Sequence, residues 1–353
     1  FGLLFAQLEQ LLQALPLMLV MYLLFPRIQG SLWGLPMDAH SGLTGMSDEL
    51  RPGSINQLSQ SEAVAFRAAF SGAPPANADL YWRSLVLWQT DGRIWSRGSQ
   101  SLPAERGFQG LGAPLDYVIT FEASNKPWLV ALDLPATLPP NLRLRPGFVL
   151  AAAAPVRERL RYALTSWPRY RTGELSVRER AAALQLPTDI GERTRALAMQ
   201  WRAQSADDAD VVQAALNYFH DENFTYTLQP PLLGSQPVEE FLFEARRGYC
   251  EHYASALVTL MRAAGIPARA LTGYQGGEFN PSGNYFIVRQ SDAHAWAEIW
   301  LAQRGWVRVD PTAAVAPERI EYGAAAVRRL ARQGAALGQL EAEAMRRALS
   351  MGW

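Results

Sequence analysis

Apolar and polar positions divide the chain into a strand-rich first half and a helix-rich second half. Short apolar segments separated by turn residues predict strands at 81–89, 93–96, 116–123, 128–134, 142–150 and 160–167. Asp91-Gly92 lies between the first two of these and predicts a hairpin. From about residue 175 apolar residues recur every three or four positions, which predicts helices at 177–186, 190–202, 209–222 and 237–243. The spacing of the strands predicts an antiparallel sandwich or barrel for the first half.

A further apolar stripe predicts a buried helix at 250–264. Cys250, Leu257 and Met261 share one face of it, Gly265 is a natural C-terminal cap, and Pro267 prevents continuation. Cys250 therefore begins the helix, where unpaired backbone N–H groups and the helix dipole favour a thiolate. The same N–H groups supply donors for a developing oxyanion.

Strands are predicted after this helix at 268–274, 284–290 and 294–301. Alternation along the last of these places His294, Trp296 and Glu298 on one face. A hairpin centred on Gln303 would set Asp310 opposite Trp296 and diagonal to His294. Diagonal neighbours on paired strands lie roughly 7 Å apart. This spacing suits a carboxylate that hydrogen-bonds an imidazole.

The candidate chemistry is that of a thiol acyl-transfer site. Cys250 is the only cysteine of the chain, so it cannot form an internal disulfide. In the predicted site His294 takes the thiol proton, and Asp310 fixes the imidazole tautomer and stabilises its charged form. The alternative is that all three residues are structural, because a buried lone cysteine is usually inert.

Other polar and aromatic residues close to these three in sequence have weaker claims. Substrate-binding or supporting roles are predicted for Glu251, His252, Trp296 and Glu298. His252 is a rival base, although side chains two residues apart on a helix do not face each other. Asp292 is a rival for Asp310. A core role is an equal alternative for Trp296.

Composition excludes several other classes of protein. The length of 353 residues predicts about two domains. Lys+Arg and Asp+Glu both number 33, so the net charge gives no reason to expect a nucleic-acid partner. Four histidines and one cysteine show no metal-ligand spacing, and no phosphate-binding glycine loop is present. The sequence thus predicts neither a metal nor a cofactor.

Both ends of the chain are predicted to be helical extensions. Residues 1–28 are mostly apolar, and the first residue is not Met, which favours a fragment that begins in the tail of a transmembrane segment. A buried or interfacial amphipathic helix is the alternative. Residues 320–353 alternate Ala and Leu with Arg and Glu, as in an amphipathic helical tail.

Four motifs of the second half together resemble the transglutaminase core. They cover about residues 205–315 and are Gly248-Tyr-Cys250, 262–274 (RAAGIPARALTGY), His294-Ala-Trp-Ala-Glu298 and 306–312 (WVRVDPT). Around them, Cys-Glu-His-Tyr-Ala-Ser and Val288-Arg-Gln-Ser-Asp-Ala-His-Ala-Trp are similar to the TgpA-type bacterial membrane proteins of Pseudomonas and relatives. By this resemblance Cys250 matches the nucleophile, His294 the base and Asp310 the third triad member.

The resemblance implies an α+β fold with a papain-like transglutaminase core preceded by a β-rich antiparallel domain. The domains expected are an apolar membrane-proximal helix (1–28), the β-rich domain (29–170), the catalytic domain (171–319) and the helical tail (320–353). In such proteins the transglutaminase-like region faces the periplasm and is anchored in the inner membrane.

The implied function is a protein-glutamine γ-glutamyltransferase. Its substrates would be a protein or peptide glutamine donor and a lysine or other primary amine, and its possible setting is the cell envelope. The triad fits a cysteine protease or amidase equally well. A module that binds cell-wall peptide or a protein partner without catalysis is the third interpretation.

Overall fold

A computed structural model of the chain describes residues 47–324, with gaps at 52–54, 56–57, 59, 99–101 and 103–106, together with Pro16. Residues 47–324 belong to one compact unit, Leu43–Trp353. The predicted apolar helix of residues 1–28 and the tail beyond residue 324 lie outside the described residues. No helix among those that the structure describes is both long and apolar enough to cross a membrane.

Strands dominate the described residues up to Thr172 and again between Ala268 and Val309. Numbered in chain order, they are β1 (Glu49–Leu50), β2 (Val64–Phe70), β3 (Tyr81–Leu87), β4 (Gln89–Thr90), β5 (Trp95–Ser96), β6 (Phe108–Gly110), β7 (Leu115–Phe121), β8 (Ala131–Leu132), β9 (Leu134–Pro135), β10 (Leu142–Arg145), β11 (Val149–Ala152), β12 (Leu160–Trp167), β13 (Tyr170–Thr172), β14 (Thr225–Tyr226), β15 (Arg247–Gly248), β16 (Ala268–Gln275), β17 (Glu278–Asn280), β18 (Tyr285–Arg289), β19 (Ala293–Leu301) and β20 (Gly305–Val309).

Helices cluster between residues 177 and 263 and again after the last strand. They are α1 (Val177–Ala183), α2 (Glu192–Gln204), α3 (Asp208–Asp221), α4 (Pro237–Glu240), α5 (Cys250–Ala263), α6 (Thr312–Val315) and α7 (Pro317–Tyr322), with 3₁₀ turns at Asn77–Asp79 and Gln290–Asp292. The predicted helix at 237–243 changes type within its length, because α4 continues as a π-helix over Phe241–Ala245. The predicted strand at 142–150 is instead the β10–β11 hairpin, which turns at Gly147 with φ +88°.

Two antiparallel sheets form the body of the fold. One has six strands in the order β17-β18-β2-β7-β12-β9, and the other has five in the order β20-β19-β16-β3-β8. Aromatic side chains join them: the ring centroids of Phe66 and Trp82 are 5.2 Å apart, and those of Phe66 and Tyr274 are 5.4 Å apart. The α+β class and the strand-rich first half are confirmed.

Strand pairing links the β-rich half to the helical half. In the six-stranded sheet β2 pairs with β18, and in the five-stranded sheet β3 pairs with β16. Strands from before and after residue 170 therefore lie side by side in both sheets. The domain boundary at 170 stays a prediction. A division there would separate two chain segments that both contribute strands to the same two sheets.

Helix α5 is the central helix and packs against β19 and β16. All but two of its fourteen residues are buried, which agrees with the apolar stripe that predicted it. Burying apolar side chains in this way stabilises the fold by roughly 25 cal/mol per Å². The N-terminus of α5 thereby lies against the strand that carries His294.

Candidate active site

His294 is fixed by a tightly constrained strand pairing. It lies on β19 opposite Gly273 of β16, where a β-bulge shifts the register between β16 and β3. A Cβ at position 273 would lie 2.0 Å from the carbonyl oxygen of Trp82, so only glycine allows β3 to approach this closely. The His294 ring is stacked on the ring of Trp296, with an interplanar angle of 18°.

The β19–β20 hairpin brings Asp310 to His294. Ala297 pairs with Val309, so the next pair in the same register sets Trp296 opposite Asp310, as the sequence predicted. His294 Nε2 is 2.7 Å from Asp310 Oδ2. The other ring nitrogen, Nδ1, is buried and makes no hydrogen bond within the described residues. Since a carboxylate accepts, Nε2 carries the proton and Nδ1 is left as the basic nitrogen.

Asp310 is held as an anion. Burial alone would raise the pKa of Asp310, but the pairing with His294, the phenol of Tyr81 and the backbone N–H of Thr312 together hold it below its usual value. Tyr81 donates to Oδ2 at 2.7 Å, and Thr312 N donates to Oδ1 at 2.9 Å. Burial lowers the pKa of His294 despite the neighbouring carboxylate. The resting pair is therefore an ionised Asp310 and a neutral His294.

Tyr81 is a site residue that the sequence analysis did not single out. It lies on β3, more than 200 positions from Asp310 in the chain, and its ring packs edge-on against Trp296 at 5.3 Å. The Arg308 guanidinium lies 4.0 Å from the centre of the same ring. The aromatic residue was visible in the predicted strand 81–89, but only the β3–β16–β19 pairing brings it to the carboxylate.

Cys250 is the first residue of α5 and has no exposed surface. Burial is the main cause that raises the pKa of its thiol, and the Glu251 carboxylate raises it further. The backbone N–H of Ala295, the residue after His294, and the charge of Arg319 act in the opposite direction. The resting thiol is thus neutral, and it lies against the strand that carries His294.

Two of the predicted neighbours of Cys250 hold local structure. Glu251 Oε2 accepts the backbone N–H of Ile55 at 3.1 Å. His252 Nδ1 accepts the backbone N–H of Tyr249 at 3.2 Å, so it caps the start of α5, and its ring packs on Phe241 at 5.7 Å. Burial lowers the pKa of His252 to about 4. These contacts give His252 a structural role, and the imidazole that hydrogen-bonds Asp310 is that of His294.

The two predicted neighbours on β19 also differ from each other. Trp296 is 2% exposed and packs between the rings of His294 and Tyr81, so it supports the imidazole from the core. Glu298 lies in a separate buried ion cluster, in which Arg83 donates to its carboxylate and Arg269 donates at 2.8 Å. Burial would raise the pKa of Glu298, but the two arginines hold it at about 2. The rival carboxylate, Asp292, accepts the backbone N–H of Arg289 at 2.9 Å.

Known proteins match this chain in sequence and fold. The model of the transglutaminase-like superfamily matches residues 195–311, and that of the TgpA N-terminal domain matches residues 2–173. The crystal structure of the periplasmic domain of TgpA from Pseudomonas aeruginosa is 44% identical, with a TM-score of 0.77, and the match covers 80% of this chain and 98% of that chain. The chain therefore belongs to the transglutaminase-like superfamily.

Two relatives extend the comparison to longer chains. The protein-glutamine gamma-glutamyltransferase of Pseudomonas aeruginosa is 47% identical over 315 residues, which are 89% of this chain and 47% of the relative. The uncharacterized protein YebA of Bacillus subtilis is 38% identical over 136 residues, 36% of this chain and 18% of the relative. This chain thus spans less than half the length of either relative.

Proposed function

We propose that this chain is the catalytic region of a protein-glutamine γ-glutamyltransferase. The observation that carries the proposal is the buried pair of ionised Asp310 and neutral His294, with a free Nδ1, on the strand against which the thiol of Cys250 lies. A basic nitrogen, an oriented imidazole and a thiol at a helix N-terminus are the parts that thiol acyl transfer requires. The name of the 47% identical relative supports the same activity.

In the first half-reaction the thiol attacks a glutamine side chain. His294 Nδ1 takes the proton from Cys250 as sulfur bonds to the carboxamide carbon. The backbone N–H groups of Cys250 and Glu251 at the start of α5 are the donors we assign to the oxyanion that forms. His294 then returns the proton to the departing nitrogen, so the C–N bond breaks, ammonia leaves and a thioester remains.

In the second half-reaction a primary amine attacks the thioester carbonyl. His294 removes a proton from the amine, and the C–S bond breaks as the new amide forms. The proton returns to sulfur, which restores the thiol. With a lysine side chain as acceptor the product is an isopeptide bond, and with water it is a glutamate side chain.

Burial of the site favours transfer over hydrolysis. Cys250 and His294 have no exposed surface, so the acyl donor reaches the thiol only when covering residues move aside. A site that opens for a substrate and otherwise excludes water protects a thioester from hydrolysis. We infer that the substrates are proteins or peptides presented on the periplasmic side of the inner membrane, because the aligned TgpA structure is a periplasmic domain.

The test is amine incorporation into a glutamine-containing protein such as casein, with ammonia measured in parallel. Wild type, Cys250→Ala and His294→Ala are compared at equal concentration. The proposal expects labelled amine in the product with wild type and neither label nor ammonia with the two variants. Cleavage of the peptide chain would indicate a protease. Release of ammonia without incorporation of the amine would indicate an amidase. If the substrate stays unchanged with all three proteins, the result would favour the interpretation as a non-catalytic binding module.

A further inference from the structure

Arg319 is a buried arginine that the triad chemistry leaves unused. It lies on α7 and is 1% exposed. Its Nη1 donates to Gln275 Oε1 at 2.7 Å, whereas Nε and Nη2 are buried and make no hydrogen bond within the described residues. Leaving part of a buried guanidinium without acceptors is energetically unfavourable. A fold that needed Arg319 only for packing would lose little by replacing it with an apolar side chain.

The other buried arginine near α5 shows how such a group is normally satisfied. Arg262, at the far end of the same helix, is 3% exposed and donates to the carbonyl oxygens of Ala268, Gln185 and Trp88 at 2.6–3.0 Å. Its guanidinium holds chain segments together through every nitrogen. Among the described residues Arg319 has a single acceptor for its side chain, so its unpaired edge calls for a different explanation.

Arg319 lies close to the triad, because its acceptor Gln275 follows Gly273 and Tyr274 on β16, the residues that pair with His294 and Ala293 of β19. Tyr226 pairs with Gly248, two residues before Cys250, and its ring is 5.1 Å from that of Tyr249. Burial disfavours the charged form of Arg319, but Tyr226, Tyr249, Asp292 and Cys250 surround it and raise its pKa.

We propose that Arg319 supplies the positive charge that stabilises the Cys250 thiolate when His294 takes the thiol proton. The titratable and charged groups that act on the thiol come from several elements: Glu251 on α5, Asp310 after β20, Tyr226 on β14, and Arg319 on α7. Within the described residues, Arg319 is the member of this set that carries a permanent positive charge. It opposes the two carboxylates, which disfavour a second negative charge.

The inference rests on Cys250 being the nucleophile, so the experiment reports on the thiol directly. The pH dependence of Cys250 alkylation by iodoacetamide is followed by mass spectrometry in wild type, Arg319→Gln and Arg319→Lys. Arg262→Gln serves as the matched control, since it removes a buried charge at the other end of the same helix. Thermal unfolding of each variant is recorded alongside.

The proposal expects Arg319→Gln to raise the pKa of the thiol by about one unit or more, which is a tenfold loss of alkylation rate at neutral pH. Arg319→Lys keeps a charge and should stay within about threefold of wild type, and Arg262→Gln should lower the melting temperature without moving the pKa of the thiol. Equal pKa values for the thiol in wild type and Arg319→Gln would overturn the inference. An altered KM of Arg319→Gln for the glutamine substrate, with an unchanged pKa of the thiol, would also overturn the inference. It would indicate that Arg319 binds substrate.

A measurement on wild type covers the case in which Arg319→Gln does not fold. A positive charge beside the thiol favours the anionic reagent iodoacetate, so its rate relative to iodoacetamide should exceed that of free cysteine by about threefold or more. A ratio equal to that of free cysteine would count against Arg319. Failure of the proposed function looks different, because wild type would then incorporate no amine whatever the reactivity of its thiol.

Discussion

Tyr81 and His294 share one oxygen of Asp310. The phenol donates to Oδ2 at 2.7 Å, and His294 Nε2 lies 2.7 Å from the same atom, while Oδ1 accepts the backbone N–H of Thr312. A carboxylate held by three donors cannot rotate away from the imidazole. Tyr81 thus positions His294 through Asp310, although it lies on a strand of the β-rich half of the chain.

Replacing Tyr81 by Phe removes this donor and little else. A hydrogen bond to a charged group contributes about 1.5–3 kcal/mol, so we expect kcat/KM for amine incorporation to fall by about 10- to 100-fold. Tyr162→Phe is the matched control, because the Tyr162 hydroxyl is also buried but donates to the carbonyl oxygen of Val130, away from the triad. Similar loss of activity in both variants would show that the effect is general destabilisation.

The acid limb of the pH–rate profile should report His294. Burial lowers the pKa of His294 from its ordinary value of 6.5, so the neutral base persists to lower pH and is lost only as the pH falls through the lowered value. We therefore expect kcat/KM to begin falling below pH 6.5. Asp310→Asn removes the charge that raises the pKa of His294, so the limb should move further down in pH.

The rate of Asp310→Asn should also fall at its optimum, by about two orders of magnitude or more, because the imidazole loses its tautomer and its counter-charge. The measurement is kcat/KM between pH 4.5 and 9 for both proteins. An acid limb of wild type that is centred above pH 6.5 would contradict the assignment.

The two histidines near Cys250 can be separated by substitution. His252→Ala removes the cap at the start of α5, which should lower the free energy of unfolding by about 1 kcal/mol and leave amine incorporation within a few-fold of wild type. His294→Ala should abolish incorporation with the fold intact. Chemical denaturation and activity are measured on both variants. Loss of activity in His252→Ala with an unchanged stability would make His252 a participant in the chemistry.

Glu298 should matter for stability and not for thiol reactivity. Glu298→Gln leaves Arg83 and Arg269 buried without their counter-charge, which should lower the free energy of unfolding by about 3–5 kcal/mol. The pKa of Glu298 is lowered from 4.5 to about 2, so its contribution is complete above pH 4.5 and is lost as the pH falls toward 2. The difference in stability between wild type and variant should shrink over the same range.

Urea denaturation at several pH values measures this difference, with Glu122→Gln as the control. Glu122 pairs with Arg67 and Arg159 at a more exposed position, where an ion pair contributes about 1 kcal/mol or less. Suppose instead that Glu298→Gln unfolds like wild type but its Cys250 is alkylated more slowly. That result would show that Glu298 contributes to the reactivity of the thiol.

Much of the candidate site follows from local sequence. The stripe of apolar residues after Cys250 and the cap at Gly265 are enough to predict a buried helix that begins at the thiol. Alternation along residues 294–301 and the turn at 303–305 indicate the register that brings Asp310 to His294, because a one-residue slip would place each side chain on the opposite face of the sheet. These are short-range patterns, and the sequence alone determines them.

Tertiary structure decided the roles that depend on distant segments. Tyr81 reaches Asp310, and Arg319 reaches the surroundings of Cys250, through strand order and helix packing that no local periodicity encodes. Glu298 is predicted to lie on the same face of β19 as His294, yet its carboxylate pairs with Arg83 of β3 in a separate buried ion cluster. The reason is that the energy of a buried charge depends on which partners surround it, and those partners come from elements far apart in the chain.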